Sequence, residues 1–137
     1  MAEQTVTAPT VTGVTPYINV VGAADASAFY QRAFAARELF RLPAEDGKRL
    51  MHCHLVINGG PLLLADAFPE HGYDFQPSHS FTLHLQVDDV DAWWARAVEA
   101  GCEVRMPLEV MFWGDKYGAL RDPYQINWTL ASTPKAG

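Results

Sequence analysis

The stretch FTLHLQVDDVDAWWARAVEAGCEV, residues 81–104, changes its period half-way along. From Phe81 to Val87 apolar and polar side chains alternate, as in a strand with one buried face. From Val90 the apolar positions are Val90, Trp93, Trp94, Ala97 and Val98, the spacing of an amphipathic helix. Asp88 is placed to cap that helix and Gly101 to end it. CEVRMP, residues 102–107, returns to strand. A strand, a helix and a strand on short connections place the helix across one face of a sheet.

The same order occurs upstream. TPYINVV (15–21) alternates, and AADASAFYQRAFAA (23–36) carries Ala26, Phe29, Tyr30 and Ala33 on one stripe, with Asp25 or Ser27 as its cap. RELFRL (37–42), RLMHCHLVI (49–57) and PLLLADA (61–67) follow as strands, with Asn58-Gly59-Gly60 as a hairpin signal. GALRD (118–122) and YQINWTL (124–130) complete the second set. A shift of 65 residues lays Tyr17 on Thr82, Asn19 on His84, Phe29 on Trp94 and Glu38 on Glu103. The chain therefore reads as two βαβββ modules, residues 14–66 and 80–131. Residues 67–79 form a linker long enough to suggest a function or disorder. Residues 1–13 read as a disordered lead-in and 132–137 as a frayed tail.

The 137 residues suit one domain, and 49% apolar content suits a packed core. Ten basic and 16 acidic residues give a net charge of −6, with no basic block to neutralise phosphates, so no nucleic-acid partner is expected. No apolar run reaches the ~20 residues of a membrane helix, and the start lacks the pattern of a secretory leader. Cys53 and Cys102 form no CxxC pair and read as reduced, buried thiols of a cytoplasmic protein.

Each module has one helix for four strands, so each sheet keeps a face free. Alternation puts Tyr17 and Asn19 on that face of the first strand. It puts Leu50, His52, His54 and Val56 there on RLMHCHLVI, and Thr82, His84 and Gln86 on FTLHLQV. Gln125, Asn127 and Thr129 take it on the last strand. These residues either face water, as antiparallel sheets often do, or line a cup. Trp113, Asp115 and Tyr117 alternate nearby. They either clamp a flat or cationic ligand, or serve the core, a dimer seam and a turn cap. Trp93 and Trp94 read as helix packing, and His71 and His79 as exposed linker residues. Cys53 points away from His52 and His54, which argues against a Cys–His nucleophile. GxSxG, HExxH, P-loop and GxGxxG motifs are absent.

In order, PYINVVGAADASAFYQRAF, MHCHLVINGGPLLLAD, HLQVDDVDAWWARAVEAGCEV and FWGDKYGALRDPYQINW resemble the vicinal oxygen chelate superfamily. This is the glyoxalase, bleomycin-resistance and dioxygenase group, and the likeness is to its PhnB-like branch. Phe29-Tyr30, Asp66 and the WGDKYG…DPYQINW ending carry the likeness, which spans residues 14–131. It implies an α+β fold of paired βαβββ modules, a curved mixed sheet around a cup-shaped cleft, and frequent homodimers. Metal-using members place His or Gln on the first strand of each module and Glu on the last. Carried over, those positions fall at Thr15 or Tyr17, at Leu63 or Leu64, at Thr82, and at Thr129. None keeps a ligand.

The expected function is therefore small-molecule binding in a metal-free cup, by a homodimer, through Tyr17, Asn19, His52, His54, Thr82, His84, Trp113, Asp115, Asn127 and Thr129. The alternative is a glyoxalase-type lyase, isomerase or transferase with a relocated Zn, Ni, Mn or Fe site on His52, His54 and His84, with Asp66 as a further carboxylate.

Overall fold

A computed structural model of the chain describes residues 9–134, so the first eight residues of the lead-in and the last three of the tail lie outside the described residues. The first module runs β1 (Tyr17–Val20), α1 (Ala23–Phe34), β2 (Arg37–Pro43), β3 (Leu50–Ile57) and β4 (Gly60–Asp66). A single 3-10 turn, Pro69–His71, lies in the linker. The second module runs β5 (Leu83–Gln86), α2 (Val90–Ala100), β6 (Glu103–Val110), β7 (Lys116–Arg121) and β8 (Asn127–Ser132). Ser132, expected in the frayed tail, is in β8.

The modules form two mixed four-stranded sheets, ordered β1-β4-β3-β2 and β5-β8-β7-β6, rather than one continuous sheet. In each, the first strand pairs in parallel with the last, and the other pairings are antiparallel. The β3–β4 hairpin turns on Asn58 (φ 50°) and Gly59 (φ 80°). Two left-handed residues in succession suit the twist of the strands they join, which explains the Asn-Gly pair.

Helix α1 buries Ala23, Ala26, Phe29, Tyr30, Ala33 and Phe34, so its stripe is as read. Its cap is not. Gly22 holds the cap position, and neither Asp25 nor Ser27 caps the helix. Asp66, at the end of β4, reaches across instead: its Oδ1 accepts from Gly22 N (2.7 Å) and Ala23 N (3.0 Å), and its Oδ2 from Leu50 N (2.7 Å). A carboxylate arriving from another strand cannot be seen in the local helix sequence. Helix α2 is capped by Asp89, which accepts from Ala92 N, rather than by Asp88. Gly101 ends it as expected. Val98 is partly exposed, because the stripe covers the sheet with Val90, Trp93, Trp94 and Ala97 alone.

The helices pack against each other between the two sheets, and one apolar core joins both modules. Its centre is aromatic: Phe34 and Trp128 lie 4.3 Å apart, and Tyr30 and Trp128 5.5 Å. Buried Asp122, in the β7–β8 turn, accepts from Tyr30 OH (2.6 Å), Trp128 Nε1 (2.8 Å), Tyr124 N (2.7 Å) and Ile126 N (3.1 Å). Gly118 lets β7 approach α2, since a Cβ there would lie 2.6 Å from the Trp94 ring.

Two details alter the faces read from sequence. Leu42 pairs with His52 and Pro43 with Leu50, so the partner strand skips Met51. That bulge inverts the alternation, sending Leu50 into the core and leaving Met51 about half exposed. Gln125 is not a strand residue. It takes a left-handed conformation (φ 68°) in the turn, with its N–H on the Asp122 carbonyl, and so leaves the face of Asn127 and Thr129.

Candidate functional site

On the uncovered face of the first sheet, β1 presents Tyr17 and Asn19, both exposed. Tyr17 OH lies 3.1 Å from His52 Nδ1 on β3, and the two rings are 5.5 Å apart. Phe40 of β2 lies 6.0 Å beyond the His52 ring. Burial raises the Tyr17 pKa, and burial followed by the neighbouring His54 lowers that of His52. Both shifts favour neutral forms, so near neutral pH the pair is an uncharged hydrogen bond. His54 is buried, 3% exposed, and its Nδ1 has no partner among the described residues.

A cavity of about 1040 Å³ opens on this face. Tyr17, Asn19 and Met51 are part of its floor. The β2–β3 loop (residues 44–49) forms one wall and the linker from Phe68 to Tyr73 the other. The bulge that exposes Met51 thus contributes directly to the cavity.

On the second sheet, His84 of β5 pairs in register with Thr129 of β8. Its Nδ1 is 2.8 Å from Thr129 Oγ1 and its Nε2 is 2.9 Å from Gln86 Oε1. Gln86 Nε2 donates to Thr133 Oγ1 (2.8 Å) and towards Asp115 (3.4 Å), which fixes the amide with its oxygen towards His84. In the neutral imidazole, Nε2 then carries the proton and Nδ1 accepts from the Thr129 hydroxyl. Tyr117 stacks near His84 at 6.3 Å, Trp113 meets Tyr117 edge-on at 5.7 Å, and Phe112 meets Trp113 at 4.9 Å. Asn127 accepts from Arg121 Nη1 at 2.6 Å.

These strand pairings correct the repeat register. Tyr17 pairs with Leu63 as His84 pairs with Thr129, and α1 begins at Ala23 as α2 begins at Val90. Tyr17 therefore corresponds to His84, two residues beyond the partner that the 65-residue shift assigns. Thr82 precedes β5 and lies exposed outside the strand. The four family ligand positions become Tyr17, Leu63, His84 and Thr129, so one imidazole is kept. A phenol, an alkyl group and a hydroxyl complete the set, and both His84 nitrogens are already bonded. One imidazole without a carboxylate or thiolate is too poor a donor set for Zn, Ni, Mn or Fe, which are held mainly by imidazole, thiolate and carboxylate ligands. No group of three or more His, Cys, Asp or Glu among the described residues is arranged to hold a metal. His52 and His54 share one module, His84 lies in the other, and Asp66 is spent on three backbone N–H groups.

Tyr17, His52 and His54 are thus brought together, as are His84, Thr129, Asp115 and, through Tyr117, Trp113. No hydrogen bond or ring pair joins the two groups among the described residues. Cys53 is buried against Glu38 (3.4 Å), and burial with that carboxylate pushes its thiol up to about 12, which leaves it a poor nucleophile. Sequence reasoning missed Arg49, Phe68 and Glu70 as cavity walls. The only signal available was the length of the linker.

The chain matches the Glyoxalase/Bleomycin resistance protein/Dioxygenase superfamily over residues 10–130. It is 42% identical over 123 residues to an uncharacterised protein of Mycobacterium bovis, covering 85% of this chain and 80% of the relative. Its fold resembles a PhnB protein of Bacillus cereus, with TM-score 0.72, 20% identity, and coverage of 89% and 100% of the two chains. It also resembles FosX, a fosfomycin resistance protein of Listeria monocytogenes crystallised with Mn(II), with TM-score 0.68, 16% identity, and coverage of 91% and 95%. The match over almost the whole described chain, together with the paired βαβββ modules, makes this protein a member of the glyoxalase/bleomycin resistance/dioxygenase superfamily.

Proposed function

We propose that this chain binds a small molecule in its cup without the divalent ion that other superfamily members use. The observation that carries this reading is the donor set Tyr17, Leu63, His84 and Thr129, which offers hydrogen bonds and apolar contact where metal ligands would stand. The cavity beside Tyr17 is of a size that suits a drug-sized molecule. Ring faces at Tyr17, Tyr117 and Trp113 supply shape and stacking. Beside the cavity, Tyr17, Asn19 and His52 supply orientation through hydrogen bonds, and Asn127 and Thr129 offer the same on the separate face of the second sheet.

The protein works as a homodimer in this reading. Phe112 is 97% exposed and Val110 72%, an apolar hairpin tip that a second chain would cover. A cytoplasmic site of action is in keeping with two free, buried cysteines.

The test has two arms. Elemental analysis after incubation with Zn, Ni, Mn or Fe should find no stoichiometric metal. Metal at one ion per chain, lost on His84→Ala or His54→Ala, would overturn the metal-free reading. In a thermal-shift screen of small aromatic molecules, a ligand that raises Tm should lose its effect in Tyr17→Ala. Ligands that act equally on both proteins would place binding elsewhere.

A further inference from the structure

The two walls of the cavity are joined by one side chain. Arg49 stands at the end of the β2–β3 loop. Its Nε meets Asp46 Oδ2 at 2.7 Å on its own wall. Its Nη1 and Nη2 meet Glu70 Oε1 and Oε2 on the linker at 2.9 and 2.5 Å, a two-bonded fork. Its guanidinium also lies 4.3 Å over the Phe68 ring. On the opposite side the linker folds on itself, through the Phe68–Tyr73 bridge and the Pro69–His71 turn. Phe68, Glu70 and Tyr73 line the cavity from that wall, and Asp46 and Arg49 from the other.

We propose that Arg49 is a latch that holds the linker closed over the cavity and so controls ligand entry. This rests on the cavity being the binding site proposed above. Three features suit a latch. The Arg49–Glu70 contact joins two segments 21 residues apart. Its partners are one-third to one-half exposed, so water and salt can reach the pair and it can break and reform. The planar fork and the ring beneath it define a single closed geometry, which lysine cannot reproduce. Asp46 pre-positions the guanidinium, because its own carboxylate is anchored by Lys48 N and Arg49 N, both at 2.9 Å. The linker is the moving part.

The experiment uses the full chain as wild type, Arg49→Ala, Arg49→Lys and Glu70→Gln. Arg105→Ala, which removes a surface pair on β6, is the control. Hydrogen exchange of amides 68–73 and the association rate of Nile red, a neutral apolar dye, are measured at low salt and in about 0.5 M NaCl, several times the concentration at which screening shortens to ~8 Å. Arg49→Ala and Glu70→Gln should speed both readouts by roughly threefold or more, with Arg49→Lys recovering little. Salt should do the same to wild type and add little to the variants. Glu70→Gln leaves the Asp46 pair in place, so it carries the test if Arg49→Ala does not fold. Linker exchange in both variants equal to that of Arg105→Ala would overturn the latch. Faster linker exchange with no dye uptake by any form would support the latch and overturn the cavity as binding site.

Discussion

At the residue scale, the strongest commitments are the buried Asp122 with its donors and the close approach of β7 to α2 at Gly118. Asp122 takes four donors, and burial raises its pKa against the lowering effect of Tyr30, Trp128 and the two backbone N–H groups. Asp122→Asn puts an NH₂ where two donors already point, and should cost ~2–4 kcal/mol in urea unfolding. Tyr30→Phe removes one donor and should cost less, ~1–2 kcal/mol. A raised carboxyl pKa means that the folded chain binds this proton more readily than the unfolded one. The Asp122 contribution therefore weakens as pH rises through that range, and Asp122→Asn should flatten this part of the stability profile. Gly118→Ala would drive a methyl to 2.6–2.7 Å from the Trp94 ring, with the Met106 carbonyl 3.1 Å away on the other side. The expected loss is ~1–3 kcal/mol, with a changed near-ultraviolet Trp signal as the check.

At the element scale, Asp66 binds three elements at once: β4 that carries it, the start of α1, and the start of β3. Asp66→Ala leaves three backbone N–H groups, two of them buried, without their acceptor and should cost ~2–4 kcal/mol, read by chemical denaturation. Its role explains how far the elements were legible. Helices and strands were readable because their periods are local, and even the Asn58-Gly59 turn declares itself. Asp66 was visible as the end of a module but not as a cap, because its partners lie 43 and 44 residues upstream. The site suffered from the same blindness in another form. Strand alternation holds only while pairing is regular, and the skip at Met51 broke it. Repeat register was inferred from faint sequence likeness, and only strand pairing aligned Tyr17 with His84. The linker wall was least legible, since Arg49, Phe68 and Glu70 carry no period. This wall also has a pH signature. Arg49 and nearby N–H groups hold Asp46 and Glu70 at about 2, below their ordinary values of 3.8 and 4.5. Their contribution is complete above the ordinary values and lost as pH falls towards about 2. Linker exchange protection should then be level from pH 8 to pH 5, relative to the intrinsic rates, and collapse only in stronger acid.

At the scale of the whole molecule, the two helices lie between the two sheets while the polar strips of Tyr17 and His84 face away from the shared core. A homodimer that covers Val110 and Phe112 would explain their exposure. Phe112→Asp should then shift sedimentation from dimer to monomer while leaving far-ultraviolet circular dichroism unchanged. A wild-type monomer at micromolar concentration would remove the basis for that expectation. The hydrogen bond from Tyr30 to Asp122 has a further consequence in time. Its partners are 92 residues apart, and synthesis runs from the N-terminus. Module one can pair its own strands as soon as Asp66 leaves the ribosome, but the Tyr30 hydroxyl and the ring faces of Phe34 then have no Trp128 or Asp122 to meet. The nascent first half is a structure with an open aromatic flank, waiting for the last turn of the chain to close it. A chain halted after residue 79 should accordingly remain protease-sensitive, and release of the full chain should bring resistance in a single late step.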